Sequence, residues 1–170
     1  GLLVAGGGLA THGASGTTTG TLDATSVQAF MTIALKPQTV DGLAIGDDFQ
    51  QPYYIAQSTA SGLDNGSGLS VSWPAGHKAN DVALLFIQTP NDTISSVTQG
   101  FVLGGTASTG TGTANTTGSV KLFVYWNRAT SGSMTAPVIT STTHTNTNIV
   151  AVMATFGNVD NVTSRDFVAM

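Results

Sequence analysis

The sequence predicts an all-β protein, an antiparallel β-sandwich of jelly-roll type with little or no helix. Three observations carry that prediction. The run Asn80-Asp81-Val82-Ala83-Leu84-Leu85-Phe86-Ile87-Gln88-Thr89-Pro90 is apolar on both of its alternating faces, Val82/Leu84/Phe86 and Ala83/Leu85/Ile87, as a strand covered on two sides must be. Leu69, Val71 and Trp73 alternate with Ser70 and Ser72, and Val120, Leu122, Val124 and Trp126 alternate with Lys121, Phe123, Tyr125 and Asn127. Glu is absent and Lys is rare, so the commonest surface helix formers are nearly missing.

In chain order, Leu2 to Ala5 suits one short strand before Gly6-Gly7-Gly8 breaks it, and Thr11 to Gly20 is a Gly/Thr/Ser loop. Val27-Gln28-Ala29-Phe30-Met31-Thr32-Ile33-Ala34-Leu35 has apolar residues at every odd position. Strand is preferred to helix there, because Lys36-Pro37 ends the run without a helix stop signal. Asp-Gly and Gly-Asp-Asp mark turns between Gln38 and Asp48. Phe49 to Ser58 holds Tyr53-Tyr54-Ile55 behind Pro52 and reads as an edge strand or extended arm, since proline cannot donate to a central ladder. Asp64-Asn65-Gly66 signals a tight turn before the Leu69 to Trp73 strand, and Pro74-Ala75-Gly76 turns the chain into the doubly apolar strand.

Val97 to Leu103 offers one more short strand, followed by Gly104 to Gly118, which reads as a long low-complexity loop. Val120 to Asn127 is the strongest strand signal. Burying Trp73 and Trp126 removes about 200 Å² each from water, at most about 5 kcal/mol apiece before entropy is counted. Pro137-Val138-Ile139 adds a short apolar piece. Ile149-Val150-Ala151-Val152-Met153-Ala154-Thr155-Phe156 is again apolar on both faces and closes at Gly157-Asn158. The Ala-x-Met pattern of Ala29-Phe30-Met31 returns as Ala151-Val152-Met153, an echo that suggests two similar sandwich units.

Composition excludes several function classes. Charged residues make up 8% of the chain, against roughly 25% in an average soluble domain, so hydroxyls and amides must keep this surface wet. That balance is common in extracellular, adhesive and assembled β-proteins. The formal net charge is -4 with no basic cluster, which argues against nucleic acid as a partner. No Cys is present, so disulfides, thiol catalysis and thiolate metal sites are out. No apolar run reaches the roughly 18 residues of a membrane span, and the start at Gly1 rather than Met suggests a processed product or part of something longer.

No constellation of residues reads as catalytic, and no cofactor is expected. A Gly-x-Ser-x-Gly elbow is missing, and His12, His77 and His144 each sit in a polar or turn context suited to surface histidines. Asp47 and Asp48 are neighbours that an extended backbone would point to opposite sides, which suits a solvated turn better than a glycosidase pair. Asp41, Asp47 and Asp48, or Asp64-Asn65-Gly66, supply oxygens but match no calcium loop, so no metal is expected. An isopeptide bond from Lys121 is conceivable chemically and not expected. Tyr53 and Tyr54 are the candidate contact residues for a glycan or a partner, with an ordinary edge-strand role as the alternative; Tyr125 and Trp126 could stack on sugars too, but Trp126 reads better as core. The Asn-x-Ser/Thr triplets at Asn65, Asn91, Asn115 and Asn161 are expected by chance in an Asn/Thr-rich chain.

The segments Trp73-Pro74-Ala75-Gly76-His77-Lys78-Ala79-Asn80-Asp81-Val82 to Phe86, Phe123-Val124-Tyr125-Trp126-Asn127-Arg128-Ala129-Thr130 and Ile149 to Gly157 together resemble a module of structural proteins in tailed-bacteriophage virions. Gly16-Thr17-Thr18-Thr19-Gly20-Thr21-Leu22, with Val27 to Pro37, resembles the end of such a unit. The likeness extends over about two thirds of the chain and lies in strands and turns. It implies residues 1–37 as the end of a preceding β unit or the first strands of the sandwich, 38–58 as a linker or edge arm, and 59–170 as the main sandwich. It further implies a non-enzymatic decoration, head-fibre or tail-appendage protein on the virion surface, homo-oligomeric with a trimer preferred, whose partners are capsid or tail proteins. The alternative expectation is a carbohydrate-binding or adhesin sandwich that attaches to host-surface glycans. Neither nucleic acid nor membrane is expected as a partner.

Overall fold

A computed structural model describes residues 52–110, 119–143 and 147–159. Among these residues there is no helix. Eight strands follow one another: β1 (Tyr53–Asp64), β2 (Leu69–Ser70), β3 (Val82–Thr89), β4 (Ile94–Val97), β5 (Val102–Gly110), β6 (Ser119–Arg128), β7 (Val138–Ser141) and β8 (Thr147–Gly157). They form a five-stranded sheet in the order β1-β8-β3-β6-β5 and a three-stranded sheet in the order β2-β7-β4, with every pairing antiparallel. The fold is an all-β sandwich, as expected.

The doubly apolar strand β3 is the middle of the larger sheet. Its Leu85 pairs with Tyr125 of β6 on one side and Met153 of β8 on the other. Ala83, Leu85 and Ile87 point inward with Phe123, Tyr125, Ile149, Ala151 and Met153, and meet Val71, Ile94 and Ile139 from the smaller sheet and its flanks. Val82 and Leu84 point the other way and are also buried, in a cluster with Val159 against Phe86, Trp126 and Phe156. Two dry faces explain why β3 carries no alternation of polar and apolar residues.

Three expectations need correction. The paired part of the Leu69 to Trp73 segment ends at Ser70. Val71 N–H still donates to Pro137 O at 3.1 Å, one step beyond the paired residues, and Val71 and Trp73 remain buried in the core. The segment Val97 to Leu103 is two strand ends, since Gln99 (φ 64) and Gly100 (φ 75) adopt left-handed backbone and turn β4 into β5. Residues Gly104–Gly110, read as loop, complete β5. They have no apolar pattern of their own and become a strand by pairing along β6 from Val102↔Trp126 to Gly110↔Ser119.

Strand β1 runs across the expected 58/59 division as one edge of the larger sheet, and Asp64 with Gly66 (φ 103) makes the expected turn after it. The stretches 1–51 and 160–170, with the expected Val27 to Leu35 strand, lie outside the described residues, as do His12, Asp41, Asp47, Asp48, Asn115, His144 and Asn161.

Candidate functional site

Tyr53 and Tyr54 open β1 and are each about half exposed, at 53% and 54%. They are consecutive in a strand, so their rings leave from opposite faces of the sheet. Tyr54 pairs with Phe156 and meets it edge to face, with ring centroids 6.0 Å apart and planes at 69°. Tyr53 pairs with Gly157 and its ring lies over that glycine: a Cβ there would come within 2.5 Å of Tyr53 Cζ. The two tyrosines therefore offer one exposed ring on each side of an edge, rather than a shared platform. Of the other aromatics, Tyr125 is 8% exposed, and burial pushes its hydroxyl pKa up. Trp126 packs on the outer apolar cluster.

The remaining exposed large apolar side chains have a simple distribution. Among the described residues they are Tyr53, Tyr54 and Leu63 on β1, and Val102 and Leu103 on β5. All five sit on the two edge strands of the five-stranded sheet. Neither strand contains Lys, Arg or Pro, and the one acid, Asp64, is buried. Natural edges are normally blunted by such residues. Here the blunting devices are a bulge between Tyr54 and Ala56 on β1 and another between Leu103 and Gly105 on β5.

At the tyrosine end of the sheet, the motif residues fasten one another. Lys78 N–H donates to Asp81 Oδ2 at 2.7 Å, closing a turn in which Asn80 takes φ 76. Asn80 N–H donates to Ala129 O and Ala129 N–H to Asp81 O, both at 2.8 Å. Arg128 Nη1 donates to Asn80 O at 2.7 Å and to Val159 O at 3.3 Å. His77 Nδ1 lies 2.7 Å from Pro74 O; a carbonyl only accepts, so this nitrogen carries the hydrogen, and the ring sits 5.0 Å from that of Trp73. The segments Trp73 to Asp81 and Trp126 to Thr130 are thus two halves of one latch.

At the opposite end are two buried carboxylates that sequence reasoning did not single out for this role. Asp64 accepts from Gly66 N–H (3.0 Å), Gly68 N–H (3.2 Å), Ser141 N–H (2.6 Å) and Ser141 Oγ (2.8 Å). Burial alone would raise its pKa. These donors outweigh burial, Ser141 first and then the glycine amides, and hold it at about 2 against an ordinary 3.8. Asp92 accepts from Thr143 Oγ1 and Thr147 Oγ1, each at 2.6 Å, and from Thr93 N–H at 2.7 Å. Burial again works upward, and the Thr143, Thr147 and Thr93 donors carry its pKa below the ordinary value. Both carboxylates face N–H and O–H groups, an environment that ties loops to strands. A strand-end Asp followed by Asn-Gly was the legible half of this signal. Its partner Ser141, 77 residues away, was not.

Among the described residues no group of three or more His, Cys, Asp or Glu lies together. Lys121 Nζ donates to Thr93 Oγ1 at 3.0 Å. No family model, curated protein or solved structure matches this chain.

Proposed function

We propose that this chain is a non-enzymatic structural component of a bacteriophage virion, a decoration or fibre protein at the particle surface that binds the capsid or tail. The observation that carries this reading is the placement of Tyr53, Tyr54, Leu63, Val102 and Leu103, the exposed large apolar side chains among the described residues, on the two edges of one sheet. An edge joins other proteins backbone to backbone, with exposed side chains setting the fit. The low charge content supports the same reading, because an uncharged Thr/Ser/Gly surface suits packing in a lattice. The motif resemblance agrees with it, since the Trp73 to Asp81 and Arg128-Ala129 segments act as a structural latch. The reading needs no cofactor, nucleic acid or membrane.

The test is reassociation. Purified chain is added to particles stripped of their surface proteins, and to a glycan array. Saturable binding to the particles with a silent array is the expected result. The half-exposed rings of Tyr53 and Tyr54 favour a second reading, a glycan-binding module for attachment to host cells. Saturable glycan binding abolished by Tyr53→Ala or Tyr54→Ala, without particle binding, would replace the first reading with the second.

A further inference from the structure

We infer that the five-stranded sheet is extended by a second copy of this chain, with β5 of one copy pairing in parallel beside β1 of the next. This inference rests on the proposed function, together with the homo-oligomer that the virion-module resemblance implies, and assigns the contact strands. Strand directions alternate across β1-β8-β3-β6-β5, so β1 and β5 run the same way along opposite edges. A copy related by rotation about an axis along the strands therefore brings β5 to a parallel β1. A two-fold through the sheet instead sets β1 against β1 or β5 against β5.

The apolar residues favour the first arrangement. Tyr54 lies level with Phe156, Val82 and Arg128, and Val102 lies level with Trp126. The two clusters, Tyr53/Tyr54 and Val102/Leu103, thus sit at the same end of the sheet. They are about two residues apart along the strands, a stagger of about 7 Å. Sliding the copies by that amount sets Tyr54 beside Val102 of the neighbouring copy. Both side chains point to the outer face, because Phe156 and Trp126, their ladder partners, share the outer cluster. Below that contact β1 offers Gln57 to Gly62 and β5 offers Gly105 to Gly110, runs of small or uncharged side chains with no like-charge clash. Self-pairing of β5 would lay Val102 and Leu103 against the Gly110 end and leave three exposed apolar residues on β1 uncovered. A head-to-tail joint repeats until it closes, giving a ring of three or more copies or an open filament.

The test uses the full chain with one lysine on each edge at exposed positions, Gln57→Lys on β1 and Thr106→Lys on β5. Masses are measured by light scattering across a dilution series, and circular dichroism melts check that each variant stays folded. The wild-type chain is expected at three chains or more and each variant alone at one. Mixing the two variants restores a single joint, since each keeps the edge the other lacks, and gives a 1:1 dimer. A wild-type monomer at every concentration overturns the inference and means that the edges are covered from within the chain or meet only other proteins. A Thr106→Lys dimer with a monomeric Gln57→Lys overturns it in favour of β1 self-pairing. Particle binding is scored separately, so a variant that no longer self-associates but still binds particles parts this inference from the proposed function.

Discussion

Asp64 carries more of the fold than its place in a turn suggests. Its carboxylate joins the end of β1, the Gly66 and Gly68 amides and strand β7 of the other sheet, so it ties the two layers together. The native pKa is about 2 against an ordinary 3.8. The group is ionised more readily when folded than when unfolded, so its stabilisation is complete above about pH 4 and is lost as pH falls from about 4 to about 2. At 1.36 kcal/mol per unit the loss is about 2 kcal/mol. Asp92, shifted in the same direction, adds to the same acid window. Denaturant titrations at steps between pH 6 and pH 2 should show this fall, and Asp64→Asn should flatten it. At neutral pH Asp64→Asn should cost about 2 to 3 kcal/mol, because its amide group turns donors toward buried N–H groups. A wild-type chain whose stability is unchanged from pH 5 to pH 2 would contradict this. Tyr53 gives a second prediction. Gly157→Ala puts a methyl into its ring, which is half exposed and can swing away, so the cost should be about 1 kcal/mol. In the Tyr53→Ala background the same change should cost close to nothing, and a double-mutant cycle by thermal melting reads the difference.

Single elements show which features the sequence states and which it hides. Strands β3, β6 and β8 are legible because their apolar faces are continuous: Leu85, Ile87, Ile149 and Met153 are all fully buried. Leu85→Ala should therefore cost about 3 to 4 kcal/mol in chemical denaturation, as a cavity in a site with β6 and β8 on either side. The second half of β5 is hidden, because Gly104 to Gly110 has the composition of a loop and gains strand form only from β6. Strand β2 is overread for the opposite reason: Val71 and Trp73 alternate like a strand, yet only Leu69 and Ser70 pair with β7. Tyr53 and Tyr54 are legible as exposed edge aromatics, whereas their assignment to opposite faces depends on Phe156 and Gly157 across the ladder. The β1–β2 turn has a similar hidden constraint. Gly68 takes φ +73, and a Cβ there would lie 2.5 Å from Val138 Cγ1 and 2.8 Å from Ile139 O. Backbone cannot give way as a side chain can, so Gly68→Ala should cost more than Gly157→Ala, about 2 to 3 kcal/mol, and loosen the Asp64 cage with it.

Across the whole molecule, the order in which sheets close follows from loop lengths. Strands β5 and β6 are consecutive and form a hairpin-like pair, whereas β1 pairs with β8, at the other end of the described chain, from Tyr53↔Gly157 to Asp64↔Thr147. Closing that pair fixes the 82 residues between Asp64 and Thr147, and an entropic cost of that kind is met late, after the shorter closures have built a surface to dock on. The expected nucleus is β3, β5 and β6, and the expected last step is the docking of β1. Two substitutions separate these roles. Phe123→Leu, in the buried part of β6, should slow refolding by most of its equilibrium cost. Ala60→Gly, on β1 against the core, should leave the refolding rate nearly unchanged and speed unfolding instead. Stopped-flow fluorescence follows both, since Trp73 and Trp126 lie on opposite faces of the larger sheet, in its inner and outer clusters. Slower refolding from Ala60→Gly, with no change from Phe123→Leu, would reverse the order and make the most distant pairing the nucleus. Late docking of β1 also bears on assembly, because a sheet whose edge closes last exposes β8 to the β5 edge of other copies while it folds.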